Sequence, residues 1–446
     1  MKGSNKIRLG LIIVMVSGLA AAPLMGCSDD EGSQQIIPGG DDDAGPSGGD
    51  DTGPSGGDDT GPSGGDDTGD DTGPSGGDDT GPPPGESDYV VLFDDTLALD
   101  SSGYSEVVEF DAPDGINSIA VTVSEGPPTM MYFITGWIGP DGFEIVPDGW
   151  ESGGMPICAD GCNNRLMMDP GAFATLAPNN PASQVDPGTH SMRVGAQSAT
   201  AGIGETLNVA TVRLTIHGKV DAAGAPSSGT LDLNFFFTGA GGWTADNAPD
   251  DPDFQNMVAL MDEIYDQVHI DIGDIAFHDA DPNYRVVGGI QSGTGELAQL
   301  FAKSERAELE GPSVFFVEGI DSGFGFIQDG NEYNQQMGGG ILGISGGIPG
   351  PMIVDGTPRS GVAVDVDSSS AMGAPGIAHV TAHEIGHYLG LFHTTENITF
   401  IPGMPAHDPL PDTAEDDPSY LMHASGSGDL MSEWQGRVMR KNPWVY

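Results

Sequence analysis

The sequence predicts two folded parts of different class: an N-terminal all-β sandwich over residues 89–222 and a C-terminal α/β (α+β) domain over 228–446. Three observations carry this expectation. Short runs of β-type residues recur between Gly, Pro and Asp turns from residue 89 to 217. Beyond residue 228, strand-like runs alternate with stretches whose apolar residues recur every three or four positions. Ahead of both, residues 28–88 hold 18 acids and neither Lys nor Arg, a composition that cannot build a core.

Charge narrows the function classes. The 446 residues carry 67 Asp+Glu against 14 Lys+Arg, a formal charge of −53. Residues 89–446 alone hold 49 acids and 11 bases, so acidity belongs to the folded part as well. A polyanion repels phosphates and anionic headgroups, which argues against a nucleic-acid partner and against electrostatic membrane binding. Three cysteines exclude a disulfide-stapled scaffold and a cysteine-only zinc site.

The first 26 residues read as a signal peptide: Lys2, Lys6 and Arg8 precede an apolar run over 11–22, too short to span a bilayer comfortably. The run ends in Leu24-Met25-Gly26-Cys27, which resembles the lipobox of bacterial lipoproteins. That resemblance implies a lipidated Cys27 and a membrane contact through the lipid anchor only; ordinary cleavage near Ala20–Ala22 is the alternative. Residues 27–88 then form a tether. Within it, 41–85 repeat units such as DDTGPSGG, with Gly and Ser for flexibility, Pro for stiffness and paired aspartates that repel. The aspartate pairs lack the convergent geometry of a dedicated calcium loop, so a solvated spacer is the better reading.

In the β part, strands are expected over 89–93, 107–110, 118–123, 130–138, 190–194 and 209–217. Cys158 and Cys162 enclose Ala-Asp-Gly and read as a small disulfide in an exported protein; a thiolate that masks a metal downstream is the rival. After a linker at 221–229 come a buried strand over 231–237, an amphipathic helix over 252–268 opened by Pro252, and a strand over 270–277. A shorter helix over 295–304 and strands over 313–318 and 361–366 follow. The glycine-rich 338–350 has no Gly-Lys-Ser/Thr, and Pro349 and Pro351 stand where a helix would have to begin, so a phosphate loop is excluded.

Chemistry concentrates at 379–393. His383 and His387, four apart on a helix, put both imidazoles on one face, and Glu384 projects beside them. His393 lies ten residues beyond His383, about 15 Å along a straight helix, and can join them only if the helix stops and the chain folds back. Gly390 sits where that turn must occur, because glycine takes positive φ with least strain. Three neutral imidazoles suit one catalytic Zn²⁺ and leave a fourth position for water.

These residues, HEIGHYLGLFH, resemble the HExxHxxGxxH signature of the metzincin zinc endopeptidases at all five fixed positions. The resemblance covers 228–446 and implies a metzincin-like catalytic domain with a twisted sheet, an active-site helix and a Met-turn. Met422, 29 residues after His393, looks like the Met-turn methionine, with Met431 the runner-up ahead of a helix over 432–440. By the same analogy, 361–366 is the edge strand on which an extended peptide pairs. Ala424 stands where astacin-like members carry a tyrosine, so no fifth ligand is expected; the nearest subgroup is pappalysin-like. Asp408, Asp412, Glu415, Asp416 and Asp417 are candidates for a Ca²⁺ site, with an acidic solvated loop as the alternative. His379 and His423 read as neighbours rather than ligands.

The expected function is a zinc-dependent endopeptidase acting on protein or peptide substrates, with a zinc-activated water and Glu384 as general base. The alternative is a non-catalytic zinc- or peptide-binding surface adhesin. The expected location is the bacterial cell envelope, lipid-anchored at its outer surface, with secreted or periplasmic placement as the alternative.

Overall fold

The computed structural model describes residues 89–147, 164–166, 168–198, 211–221, 224–290, 292–321, 325–328, 331–334, 341–370, 373–397, 405–424 and 428–446. The signal-like segment, Cys27, the repeat tether, Cys158 and Cys162 lie outside these residues.

A β-sheet-rich region comes first, followed by a mixed α/β region. The first region runs β1 (Tyr89–Ala98), β2 (Val108–Ala112), β3 (Ile116–Ser124), β4 (Met130–Ile138), β5 (Glu144–Val146), β6 (Asp169–Pro170), β7 (Phe173–Ala177), β8 (Gly188–Ser198) and β9 (Thr211–Val220). One antiparallel sheet has the order β1-β9-β3-β7, the other β2-β8-β4-β5 with β6 beside β4. Both feed one core, where Val121 and Leu214 of the first sheet meet Tyr132, Trp137 and Val194 of the second. Alternation along Val108–Ala112, buried at every second residue, is the sequence pattern that aims one face inward. The sequence reading does not contain β5, β6 or β7: two are only two or three residues long, and Gly and Pro interrupt the third's approach.

The second region opens with β10 (Gly229–Phe237), α1 (Pro252–Asp266), β11 (Ile270–Asp279), β12 (Val286–Val287), α2 (Glu296–Phe301), β13 (Ser313–Val317) and β14 (Gly319–Ile320). It continues through β15 (Gly325–Gln328), β16 (Asn331–Asn334), β17 (Gly343–Ser345), β18 (Val362–Asp365), α3 (Val366–Ser369) and α4 (Gly373–Tyr388), then β19 (Thr395–Asn397), β20 (Pro405–His407) and α5 (Glu433–Met439). The central sheet has the order β11-β10-β13-β18-β17. Its first four strands are parallel and β17 runs antiparallel to β18.

Neighbouring strand residues serve opposite faces. Phe235, Phe237 and Phe316 pack with α1 and α4 residues such as Phe254, Met261 and Ile385. Phe236 and Phe315 pack with Leu297, Leu300 and Phe301 of α2 on the other side. Helix α1 starts where Asp251 accepts hydrogen bonds from the Asp253 and Phe254 amides, both at 3.0 Å, with Pro252 in the first turn. Its apolar spacing buries Phe254, Met257, Met261, Ile264 and Tyr265.

One expectation is corrected. The strand near 361–366 is interior, hydrogen-bonded to β13 on one side and β17 on the other. The edge is β17, a three-residue strand inside a glycine-rich stretch, too short to carry a readable alternation.

The two regions share structure. Ala120, Ala174 and Leu176 of the β region lie in the core of the α/β region. The buried Lys219 ammonium of β9 donates to the Arg440 carbonyl at 2.6 Å, to Asn442 O at 3.3 Å and to Val445 O. It thereby satisfies carbonyls left open where α5 ends.

Candidate metal centre

Helix α4 crosses the core, and every residue from Gly376 to Tyr388 is buried. The Tyr265 hydroxyl of α1 donates to Ala382 O at 2.8 Å, fixing the helix against its neighbour. The helix ends in a Schellman arrangement: the Gly390 amide donates to His387 O and the Leu391 amide to Gly386 O, each at 2.9 Å. Gly390 has φ of 113°, the left-handed side that an L side chain adopts only under strain. This reversal brings His393 back beneath the helix.

The three expected histidines converge there. Nε2 of His383 lies 3.1 Å from Nε2 of His387 and 3.2 Å from that of His393, and the last two are 3.1 Å apart. Two of the tautomers follow from the outer contacts. His383 Nδ1 lies 2.6 Å from Leu421 O and His387 Nδ1 2.6 Å from Leu391 O. A carbonyl only accepts, so both Nδ1 atoms carry the proton and both Nε2 lone pairs face the common centre. Burial holds all three imidazoles well below the usual histidine range, reinforced by repulsion between neighbours, so they are neutral. Among the described residues this is the group of His, Cys, Asp or Glu whose ligand atoms gather tightly enough for a metal ion. Nitrogens about 2.0–2.1 Å from a tetrahedral zinc stand about 3.3 Å apart, close to the spacing here. Converging lone pairs in a dry site repel unless a cation lies between them, so the donor set fits a metal.

Glu384 is fully buried beside the histidines, and neither carboxylate oxygen makes a hydrogen bond of ordinary geometry. Burial pushes its carboxyl well above the usual range, opposed by the Ser345 backbone N–H of β17. It packs on Gly343: a Cβ there would stand 2.6 Å from Glu384 Cγ and 2.7 Å from Val380 Cγ1. A side chain at 343 would force α4 away from the edge strand.

The segment after the histidines closes the floor. Leu421 O orients His383, Met422 O accepts from the Thr394 amide at 2.8 Å, and Met422 is fully buried. A Cβ on Gly386 would lie 2.7 Å from Met422 Sδ, so the sulfur sits against the turn of α4 that carries the ligand candidates. Met431 lies elsewhere, its amide donating to Gln267 Oε1 at the approach to α5. His379 pairs with Asp429 at 2.9 Å, and His423 lies 3.6 Å from Asp416; neither joins the three-histidine group.

No acidic cluster converges at 408–417 among the described residues. Asp408 holds the Thr413 hydroxyl and the Leu410 amide, Asp412 the Trp434 amide, and Asp417 the Ser419 amide. These carboxylates brace a loop.

Three participants are absent from the sequence reading: Gly343, Ser345 and Arg165. Glycine content flagged the first two without revealing a strand. Arg165 has no local signal at all, because the fold alone carries its guanidinium 4.1 Å above the Phe392 ring, one residue from His393.

No family model matches the chain, and no curated protein matches it. Among solved structures, metalloproteinase-II from Bacteroides fragilis is similar at 12% identity and a TM-score of 0.26, over 53% of this chain and 63% of that one. A chaperone–substrate complex is similar at 12% identity and a TM-score of 0.23, over 41% of this chain and 27% of that one. The chain therefore spans less than two thirds of either structure.

Proposed function

We propose that this chain is a zinc-dependent endopeptidase of metzincin type, with His383, His387 and His393 as ligands, Glu384 as proton carrier and Met422 as the Met-turn. The observation that carries the reading is the meeting of three Nε2 atoms within 3.2 Å of one another beside a buried glutamate. A metal held there supplies Lewis-acid polarisation of a peptide carbonyl and acidifies water. Glu384 then does the chain's own chemistry. Its raised affinity for protons suits it to take one from attacking water and to return it to the leaving amine. The outer edge of β17 offers backbone groups to an extended peptide, beside Glu384 rather than at a distance from it. Dryness at Glu384 and the histidines strengthens each electrostatic contact made during the reaction.

The β region, read as a sandwich, and the tether serve this site from an envelope anchor at Cys27. Membrane partitioning of the wild type, lost in Cys27→Ala, is the expected outcome; equal partitioning of both would sink the anchor. The hydrolytic reading is tested by incubating the zinc-loaded chain, before and after treatment with a second protease, with an unfolded generic protein. Cleavage abolished by a chelator and restored by zinc supports it. The complete burial of the centre favours one competing reading, a zinc that only binds; zinc at one per chain with no hydrolysis in either state would establish that instead.

A further inference from the structure

The β region delivers a cation to the metal centre. Arg165 is 4% exposed, and its guanidinium lies 4.1 Å above the ring of Phe392, the residue before His393. Burial and the neighbouring imidazoles act first on His387 and His393, and the Arg165 charge adds to both. For His383 the neighbours so felt are His387, His379 and His423. The guanidinium therefore stands on the His387 and His393 side of the group.

The main chain of Arg165 is fixed at both of its polar groups. Its amide donates to Asn179 Oδ1 at 3.0 Å, and its carbonyl accepts from Asn179 Nδ2 at 2.5 Å and from Asn164 Nδ2 at 3.3 Å. Asn164 Oδ1 in turn accepts from the Asn179 amide at 3.0 Å and from the Ser183 hydroxyl at 2.9 Å. Asn164, Asn179 and Ser183 are all buried. A buried polar network whose groups are satisfied is rigid. The arginine's backbone freedom is thus lost on folding and not on meeting a ligand, which preorganises the side chain it carries.

Charge decides what such a cation can recognise. A divalent ion among three neutral imidazoles brings two positive charges, and Arg165 brings a third. The carboxyls at the centre are Glu384, beside the histidines, and Asp408, which feels the Arg165 charge. Asp408 is already engaged with the Thr413 hydroxyl and the Leu410 amide. Even with both carboxyls ionised, one positive charge is left over in a dry site, where that is costly. An anion relieves it, and the planar fork of a guanidinium matches a carboxylate. The chain as a whole, at −53, repels anions, so this is a local exception and not a general affinity.

We propose that Arg165 is a specificity-determining residue of the metal centre, and that it recognises a carboxylate, either a peptide's C-terminus or an Asp or Glu side chain beside the scissile bond. The β region then completes the site. Substrate preference rests on the hydrolytic reading and anion binding does not, so the two fail separately.

The full chain is loaded with Co²⁺, whose visible spectrum reports its ligands, and titrated with acetate at neutral pH. In parallel, the zinc-loaded chain is given peptide pairs that differ only in a free or amidated C-terminus, or in Glu against Gln beside the cleaved bond. Arg165→Gln removes the charge; Arg165→Lys keeps it and loses the fork. The wild type should show a saturable spectral change, with acetate affinity lower by about 10–100-fold in Arg165→Gln and by less in Arg165→Lys. It should also prefer one carboxylate peptide over its neutral partner in kcat/KM, a preference absent from Arg165→Gln. Preference for the free acid identifies the C-terminus, and preference for Glu identifies a side chain. No spectral change in the wild type, or equal acetate affinity in wild type and Arg165→Gln, would overturn the proposal. Neutral peptides cleaved as fast as charged ones would overturn it too, leaving the hydrolytic reading standing. Acetate bound through Arg165 with no peptide cleaved would support the anion site and defeat the hydrolytic reading. Where Arg165→Gln does not fold, Arg165→Lys decides: lost affinity supports the recognition, and unchanged affinity overturns it.

Discussion

The proposed function gives Glu384 and His393 separable duties, and substitutions divide them. Glu384→Gln keeps the side chain's shape and removes only its ability to take a proton. Metal content by mass spectrometry should stay near one per chain while peptide turnover falls by about 10²–10⁴ or more. His393→Ala instead leaves two imidazoles for the ion, so metal content and turnover should fall together. If Glu384→Gln retains near-normal turnover, another base does the work. Gly390→Val acts on the same centre without touching a ligand. A Cβ there meets only ordinary contacts, Leu176 at 3.5 Å and Val438 at 3.6 Å, so its cost is backbone strain at φ 113°. About 1–3 kcal/mol of lost stability and weaker metal retention are expected. Wild-type metal affinity in Gly390→Val would show that the turn is not needed to deliver His393.

Helix α4, strand β17 and strand β9 position these residues, and each does so by a different device. Helix α4 is held by burial on all sides and by the Tyr265 hydroxyl. Strand β17 approaches it closely because Gly343 presents no side chain. Strand β9 contributes a buried cation to the carbonyls at Arg440, Asn442 and Val445. Lys219→Met keeps the apolar stem of that side chain and removes the charge, so all three carbonyls lose the ammonium while Asn442 O keeps the Val445 amide at 3.1 Å. Denaturant titration should show a loss of roughly 2–4 kcal/mol, since hydrogen bonds to charged groups are the strong ones. A change below about 0.5 kcal/mol, the ordinary range for surface substitutions, would mean that water replaces the ammonium.

Across the whole molecule, opposed titrations shape stability with pH. His190 is buried, accepting from Trp137 Nε1 at Nδ1 and donating to Asp186 O from Nε2, and burial keeps its pKa below 6.5. Such a depressed histidine contributes stability that is present above the unfolded value and lost as pH falls through the folded one. Asp408 works the other way. Burial raises its carboxyl from 3.8 to about 6, so its contribution is full below 3.8 and lost as pH rises through about 6. Ionised Asp408 at pH 8 therefore costs up to roughly 3 kcal/mol. Asp408→Asn, which retains an acceptor for the Leu410 amide, should raise the melting temperature more at pH 8 than at pH 5. An equal shift at both pH values would show that the carboxyl does not titrate in this range.

The histidine–glutamate constellation was legible in the sequence because its geometry is local. Four residues of helix set His383 and His387 on one face, and one glycine suffices to turn the chain toward His393. The amphipathic helix α1 and the long strands were legible for the same reason, since period and capping are properties of neighbours along the chain. What the sequence left unsaid depends on residues far apart in it. Strand β17 is defined by pairing with β18 rather than by its own three residues, and Gly343 matters only because Glu384 packs on it from 41 positions away. Arg165 comes to Phe392, and Lys219 to the C-terminus, across more than 200 residues. Such meetings arise from the collapse of two regions onto a shared core, where burial is decided by the sum of many weak apolar contacts. The chain's local chemistry therefore determined that three imidazoles can meet at one point, and only tertiary packing decided how deeply they are buried.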